Sequence, residues 1–433
     1  MAVDLEQNQR GADSSASSTR TIPNDEPAAR TIDDESKKVD AEGIEKATAV
    51  EKVEDAPADE VGEYPDGGLK AWLVVIGCAS GTCATFGLVN AWGYALVFIP
   101  GLIVGRIFDM GYVKLPLSLA SVLLVATTFL TAQCTQYWQF LLCQGIALGL
   151  ACGTIFGILM GTPAHWFKRR LGLALGIMAL GSSVAGTLYP IIVKNLMQKI
   201  GFQWTMRVLG FIEIALLAIQ IATVERRLPP KVHSGPFLDF TVFKNVSFSL
   251  YTASSFLAFL GIYTVLTYID VNAVSIGIPE DLAFYLLAIA NACSAVGRVV
   301  GGLLADRTGP LNVMTPATLL AGIMTYIWPF ANSVGGNIAV AVVYGASSGV
   351  YVSLLSAPIV RMGRTEDVGV RIGMCFTFIA IGAVAGPPIS GAINAATGGF
   401  KFTGVYAGSA VMVAVVVLMF TRISLLGGLW GRC

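Results

Sequence analysis

Long apolar runs, each about twenty residues, follow one another from Ala71 almost to the end of the chain. A hydrocarbon core of ~30 Å needs about 20 residues at about 1.5 Å per residue, so each run has the length of a membrane-spanning helix. Because lipid cannot pair with backbone groups, every span is expected to be helical. The runs predict twelve spans, at 71–95, 96–109, 115–134, 138–163, 171–193, 203–224, 244–269, 282–304, 311–332, 337–360, 371–394 and 402–421.

The composition agrees with a multi-pass membrane protein. Hydrophobic residues make up 55% of the chain and charged residues only 13%, about half of what a soluble globular protein carries. This composition excludes a disordered chain, a nucleic-acid binder and a soluble enzyme. The expected surroundings are therefore the lipid bilayer, with no nucleic acid as a partner.

The formal net charge of zero conceals two unlike segments. Residues 1–63 hold 17 acidic and 7 basic residues, whereas the rest of the chain holds 11 acidic and 21 basic residues. The acidic segment has few aromatic residues and cannot bury enough apolar surface to offset the entropy of ordering it. We predict a disordered cytosolic tail over 1–63, followed by a basic membrane body.

The basic residues of the loops set the expected topology. With the tail inside, 16 Lys and Arg residues fall on inside loops and ends and 4 on outside loops, as the positive-inside rule requires. Both termini are then cytosolic, most simply at the plasma membrane. The longest polar connection, 225–243, separates a first half of six spans, 64–224, from a second half of six spans, 244–424, and 425–433 forms a cytosolic C-terminus.

The second span departs from this regular pattern. Asn245 lies 61 residues before Asp306 in the second half, but Trp72 lies only 37 residues before Asp109 in the first. The first half is thus short by about 24 residues near 94–100, and residues 96–109 cover only ~21 Å of the ~30 Å core. We interpret this as a missing outer loop and outer half of helix two, through a skipped exon or a degenerate variant.

A short motif repeats at matching inside positions of the two halves. A glycine stands four residues before an aspartate in both copies, and an arginine lies beside that aspartate or inside the motif. Six spans on each side of a basic loop, with this repeat, resemble the major facilitator superfamily, in which the aspartate meets a helix N-terminus or an arginine across the halves and latches one conformation. The expected latch residues are Gly105, Arg106 and Asp109, and Gly302, Asp306 and Arg307.

Two longer motifs resemble the monocarboxylate transporter family and its fungal branch, over about residues 64–424. An Asp-Gly-Gly…Trp stretch precedes the first span, and an aromatic-Phe-Lys-Arg-Arg stretch precedes the fifth. The resemblance implies an all-α membrane protein of two six-helix bundles that rock about a central site. The signature residues are Asp66, Gly67, Gly68, Trp72, Phe167, Lys168, Arg169 and Arg170.

Ionisable residues inside membrane spans are the first candidates for function. Arg298 in the eighth span matches the arginine that binds the substrate carboxylate in the family. The planar guanidinium of an arginine can form two parallel hydrogen bonds with a carboxylate. The family's helix-eight aspartate and helix-one lysine fall here at Ser294 and Asn90, so a larger or less strictly anionic substrate than lactate is expected. The substrate-binding candidates are Arg298, Asn90, Ser294 and Asn291, and Glu213 in the sixth span is the candidate for proton coupling.

These features predict a monomeric secondary transporter of a small organic acid or related metabolite, and not an enzyme. A nucleotide-binding P-loop is absent, which argues against ATP-driven pumping. No cofactor or metal is expected, since the two histidines are isolated and the sequence contains no CxxC pair. The alternatives are export of a fungal secondary metabolite, and a sensor or inactive paralogue that does not transport.

Overall fold

The computed structural model describes residues 64–86, 93–228, 240–426 and 431. All of them lie in one compact unit, Val61–Cys433. The secondary structure of these residues is helical and contains no strand, which confirms the predicted all-α fold. The predicted acidic tail, 1–63, lies outside the described residues.

The described chain forms a succession of apolar helices joined by short connections. Nine segments of at least 18 residues are long and apolar enough to cross a bilayer, and Leu69–Thr85 is a shorter apolar segment, within a helix that extends to Phe86. We number the helices α1 (Leu69–Phe86), α2 (Gly93–Phe98 and Gly101–Asp109), α3 (Lys114–Thr131), α4 (Tyr137–Trp166), α5 (171–200), α6 (202–223), α7 (Val246–Ser275), α8 (Glu280–Thr308), α9 (Pro310–Phe330), α10 (Val334–Arg361), α11 (Val368–Thr397) and α12 (Phe400–Leu426).

The longest continuous segment, Leu171–Thr223, contains two of these helices. Gly201 interrupts it with φ 75° and ψ 173°, a conformation that glycine adopts readily. On one side of Gly201, the Met178 carbonyl accepts a hydrogen bond from Thr82 of α1, and on the other side Gln220 packs against Gly81 of the same helix. The chain therefore reverses at Gly201, and α5 and α6 are separate crossings.

The first two helices depart from the sequence prediction. The expected boundary between the first and second spans, at 95/96, is wrong, because helix Gly93–Phe98 runs through it and packs on α4 together with Gly101–Asp109. Helix α1 has 18 residues where α7 has 30, and α2 occupies 93–109 where α8 has 29 residues.

Glycines allow the two predicted halves to approach closely at two interfaces. At the first interface α2 packs on α11, and at the second α5 packs on α8. A Cβ on any of the central glycines would overlap backbone of the facing helix, so only glycine permits this approach. The glycines concerned are Gly105, Gly369 and Gly373 at the first interface and Gly172, Gly176 and Gly302 at the second.

Candidate functional site

The guanidinium of Arg298 is buried between α8 and α5. Its side chain is 9% exposed, and Nη1 donates hydrogen bonds to the Ala179 carbonyl oxygen and to the Ser182 hydroxyl, both on α5. Its Nε donates to the Ser294 hydroxyl at 3.2 Å, one turn earlier on α8. Arg298 therefore points across the interface toward the first half instead of reaching along its own helix to the cytosol.

The other predicted substrate-binding residues of α8 lie on the same face as Arg298. The Ser183 hydroxyl donates to the Ser294 hydroxyl at 3.3 Å, and the Asn291 amide donates to the Gly186 carbonyl oxygen at 3.3 Å. Positions 291, 294 and 298 are spaced three and four apart, so one helix face carries all three. The structure brings these three together, whereas Asn90 lies outside the described residues.

A small cavity of about 30 Å³ opens beside Arg298. Helices α7, α8 and α10 enclose it, and α7 is interrupted at this level by Ile262 and Tyr263. Broken helices at membrane depth are tolerated where they line a cavity. The cavity is lined by Ile262, Tyr263, Leu266, Ala290, Asn291, Ser294, Arg298, Gly345, Ser348, Gly349 and Val352.

Glu213 lies at a separate place, inside the first half. Its side chain is fully buried in α6, and its Oε2 accepts a hydrogen bond from the Thr128 hydroxyl of α3 at 2.8 Å. Oε1 is also shielded from solvent and has no hydrogen-bond partner among the described residues. The structure does not bring Glu213 together with the Arg298 cavity, because none of the residues lining that cavity belongs to the first half.

The two repeated aspartates occupy equivalent places at the helix N-termini. The Asp306 carboxylate of α8 accepts hydrogen bonds from the backbone N–H groups of Gly172, at 2.6 Å, and Leu173, at 2.9 Å, in the first turn of α5. Neither α5 nor α11 is capped by the side chain of its own N-cap residue. A carboxylate from another helix thus satisfies amide groups that the helix leaves unpaired.

Asp109 makes the corresponding contact at the other interface. Its carboxylate accepts hydrogen bonds from Gly369, at 3.0 Å, and Val370, at 2.8 Å, in the first turn of α11. Arg226, just after α6, donates to the Asp109 carbonyl oxygen at 2.8 Å, a contact that sequence reasoning missed. The basic central loop offered no signal that this particular arginine would turn back to α2.

The two arginines of the repeated motif differ in their surroundings. Arg106 is buried, at 5% exposure, within α2, whereas Arg307 is exposed in the last turn of α8. The aspartates meet helix N-termini directly. A shared role of the two arginines in a latch stays a prediction.

The two family-signature motifs contact each other on the first half. The Asp66 Oδ1 accepts hydrogen bonds from the backbone N–H groups of Lys168 and Arg169, both at 2.7 Å, and of Arg170 at 3.3 Å. The ring centroids of Trp72 and Phe167 lie 4.9 Å apart. Asp66 (φ 41°) and Gly68 (φ 85°) both have left-handed backbone, and Gly67 lies between them.

An ion pair lies next to the contact between the two signature motifs. The Lys70 ammonium lies 2.8 Å from the Glu225 carboxylate, and this hydrogen bond lowers the pKa of Glu225. The Trp166 ring N–H donates to the Glu225 carbonyl oxygen at 2.9 Å. The start of α1, the end of α4 and the residues that follow α6 are therefore joined at one end of the first half.

Comparison with known proteins agrees with this architecture. A profile described as Major Facilitator Superfamily matches residues 80–357 and 251–425. The human organic anion transporter MFSD10 (TETRAN) shares the fold, with a TM-score of 0.65 and 14% identity over 80% of this chain and 98% of that one. This likeness concerns the fold alone.

Two fungal relatives are similar over most of the chain. The aspyridones efflux protein apdF of Emericella nidulans is 31% identical, covering 84% of this chain and 80% of the relative, and the riboflavin transporter MCH5 of Saccharomyces cerevisiae is 29% identical, covering 86% and 82%. The alignment with apdF spans 391 positions, whereas 84% of 433 residues is about 364. About 27 aligned positions of that relative therefore face no residue here. Profile, relatives and fold agree that this chain belongs to the Major Facilitator Superfamily, as a multi-pass membrane transporter.

Proposed function

We propose that this transporter carries a small organic acid and that Arg298 binds its acid group. The support is the Arg298 guanidinium, which is buried at the α5–α8 interface and lines the cavity enclosed by α7, α8 and α10. A buried guanidinium needs compensation for its lost hydration. An anionic ligand supplies that compensation better than neutral groups do, through paired N–H···O bonds.

The proposed family is narrower than the superfamily: the monocarboxylate porters, in their fungal branch. The support is the contact between the two signature motifs at Asp66 and the Lys168–Arg170 backbone. The chain has Ser294 one turn before Arg298, where the family resemblance leads us to expect an aspartate. We therefore expect a larger substrate than lactate.

We propose alternating access between two halves, 64–224 and 244–424, with Asp109 and Asp306 as the latch. Both carboxylates bind helix N-termini across the proposed boundary of the halves, and the facing glycines are in contact. With both termini in the cytosol these contacts close the cytosolic side. We further propose that the protein is a monomer and that it lies in the plasma membrane.

Export of a secondary metabolite is the second candidate for the direction of transport. The observation that favours it is the relative named as an aspyridones efflux protein, which is similar over 84% of this chain. Import and export share the same site and latch. A sensor that does not transport is the alternative of another class.

The test compares a strain that lacks the gene with strains that express the wild-type chain, Arg298→Lys or Lys401→Ala. Metabolite profiles of cells and medium identify the compound whose distribution changes, and its transport is then measured in proteoliposomes. We expect Arg298→Lys to lower transport at least tenfold at unchanged membrane abundance, because an ammonium cannot form the bidentate pair. Lys401→Ala, an exposed change at the start of α12, is expected to behave as wild type.

Two results would contradict the proposal. An acid transported equally by wild type and Arg298→Lys would remove Arg298 from the site. Metabolite profiles that are the same with and without the gene, together with no uptake by the purified chain, would favour the sensor.

A further inference from the structure

Four phenylalanines from four helices meet at the interface between the proposed halves. We define this aromatic cluster as Phe98 of α2, Phe156 of α4, Phe259 of α7 and Phe376 of α11. All four side chains are buried, with exposed fractions of 3% or less. The cluster is therefore sealed from solvent in this conformation.

The rings contact one another across the interface. The centroid of Phe98 lies 5.4 Å from that of Phe259 and 5.5 Å from that of Phe376, both nearly perpendicular at 88° and 89°. Phe156 stacks on Phe376 at 5.7 Å with an interplanar angle of 17°. Two rings of each half thus bind the other half in the edge-to-face and stacked geometries that aromatic pairs prefer.

The cluster adjoins the glycine contact between α2 and α11. A Cβ at Gly101 would lie 3.6 Å from the Phe376 Cβ and 3.6 Å from the Gly373 Cα. Next along α2, Gly105 is in backbone contact with Gly369, and then Asp109 caps α11. A movement that releases Asp109 and separates these glycines also separates the rings of the two halves.

The aromatic cluster is connected to the Arg298 cavity through Tyr263. The Tyr263 ring lies 5.4 Å from Phe259 at 74°, and Tyr263 lines the cavity together with Ser294 and Arg298. Tyr263 and Phe259 therefore connect the Arg298 cavity with the aromatic cluster.

We propose that the aromatic cluster is the binding surface for the body of the substrate, and that the substrate is an acid with a flat aromatic body. This inference rests on the proposed function, since it takes the Arg298 site as given. Separated phenylalanine rings lose their aromatic partners and become hydrated, which is unfavourable. A flat aromatic ligand restores those contacts in the open state, while a saturated ligand of equal size restores only apolar contact.

The experiment uses two probes that differ only in aromaticity. They are 2-naphthoate and decahydronaphthalene-2-carboxylate, which have the same carbon skeleton and the same carboxylate. Binding to the purified full-length protein is measured by isothermal titration calorimetry. We expect 2-naphthoate to bind about 10-fold more tightly, and Arg298→Lys to weaken both probes.

Variants of the aromatic cluster separate ring contact from simple packing. Phe259→Leu and Phe376→Leu keep an apolar side chain but remove the ring. Each is expected to weaken 2-naphthoate about 2- to 10-fold, the range of one aromatic pair, and to leave the saturated acid nearly unchanged. Phe129→Leu is the matched control, since Phe129 pairs with Phe211 at 5.3 Å within the first half.

The outcomes distinguish this inference from the function on which it rests. Equal affinities for the two probes, or equal weakening of both by Phe259→Leu and Phe376→Leu, would overturn the aromatic surface while Arg298-dependent binding keeps the proposed function. Absence of binding by 2-naphthoate alongside Arg298-dependent binding of the saturated acid would also overturn it. If neither probe binds and transport of the metabolite found by profiling is insensitive to Arg298→Lys, the proposed function itself fails.

Discussion

Asp109 and Asp306 hold equivalent places in a sequence repeat, and each carboxylate caps a helix that lies in the opposite half of the chain. Asp109 binds the first turn of α11, and Asp306 binds the first turn of α5. The first turn of a helix presents unpaired N–H groups and a positive dipole end, so both interactions are charge-assisted. The two interfaces are therefore closed by the same chemistry.

Removal of one carboxylate should favour the conformation in which the α2–α11 and α5–α8 interfaces are open. Each hydrogen bond to a charged group contributes about 1.5–3 kcal/mol, so Asp306→Ala is expected to raise the open population about tenfold or more. The measurement is maleimide labelling of a cysteine introduced as Val370→Cys, in a chain whose native cysteines are replaced. Val370 is 5% exposed and lies at the other interface, so faster labelling reports a global opening.

Asp281→Ala is the control for this measurement. Asp281 is also on α8 and pairs with Lys194 at 2.6 Å, but its side chain is 88% exposed. Exposed ion pairs contribute little, and the labelling rate should not change. Equal rates for Asp306→Ala and the parent chain would show that Asp306 does not hold the closed state.

A methyl group at Gly302 should have a similar effect by a steric route. The added Cβ would overlap the Gly172 carbonyl oxygen across the α5–α8 interface. We expect Gly302→Ala to lower the transport rate at least fivefold and to speed labelling at Val370→Cys. Gly335→Ala, where the new Cβ has open space, should retain the parent rate, and a normal rate in Gly302→Ala would contradict a need for close helix approach.

Sequence reasoning predicted the helical fold well but placed some contacts and one boundary poorly. Apolar runs and loop charges indicate helices because lipid imposes a length and a sidedness on every span. The boundary between the first two helices was misplaced because the apolar run continues past Gly93 to Ala95 without a polar residue other than Asn90. The contacts of Arg298 with Ala179 and Ser182 depend on packing between helices more than a hundred residues apart, which local spacing does not encode.

Glu213 provides a test of proton coupling that does not depend on Arg298. Its buried carboxylate has one hydrogen bond, from Thr128, and Glu213→Gln keeps the volume and the acceptor while removing the titratable group. We expect the variant to lose substrate accumulation driven by a pH gradient but to retain substrate exchange at equal pH. Glu280→Gln, an exposed change at the start of α8, is the control, and accumulation that survives in Glu213→Gln would exclude Glu213 as the proton carrier.

Asp66 should stabilise the junction between the two signature motifs. Its carboxylate is the acceptor for three consecutive backbone N–H groups, those of Lys168, Arg169 and Arg170. A hydrogen bond to a charged group contributes about 1.5–3 kcal/mol, so Asp66→Ala should unfold at a lower temperature than the parent. Asp66→Asn keeps one oxygen acceptor and should fall between the two; an unchanged melting temperature in detergent for both variants would contradict a stabilising role of Asp66 at this junction.

The shortness of α1 and α2 leads to a prediction about the natural protein. The described part of α1 has 12 residues fewer than α7, and residues 93–109 of α2 number 12 fewer than α8, in keeping with the shortage of about 24 residues in the sequence repeat. We expect the chain made in cells to carry about 24 more residues between Phe86 and Gly93. In the present sequence trypsin releases a single peptide from Ala71 to Arg106. Intact-mass analysis of the native protein and sequencing of its transcript across this region should both reveal the longer segment, and a transcript that matches the present sequence, in a protein with full transport activity, would show that two shortened helices suffice.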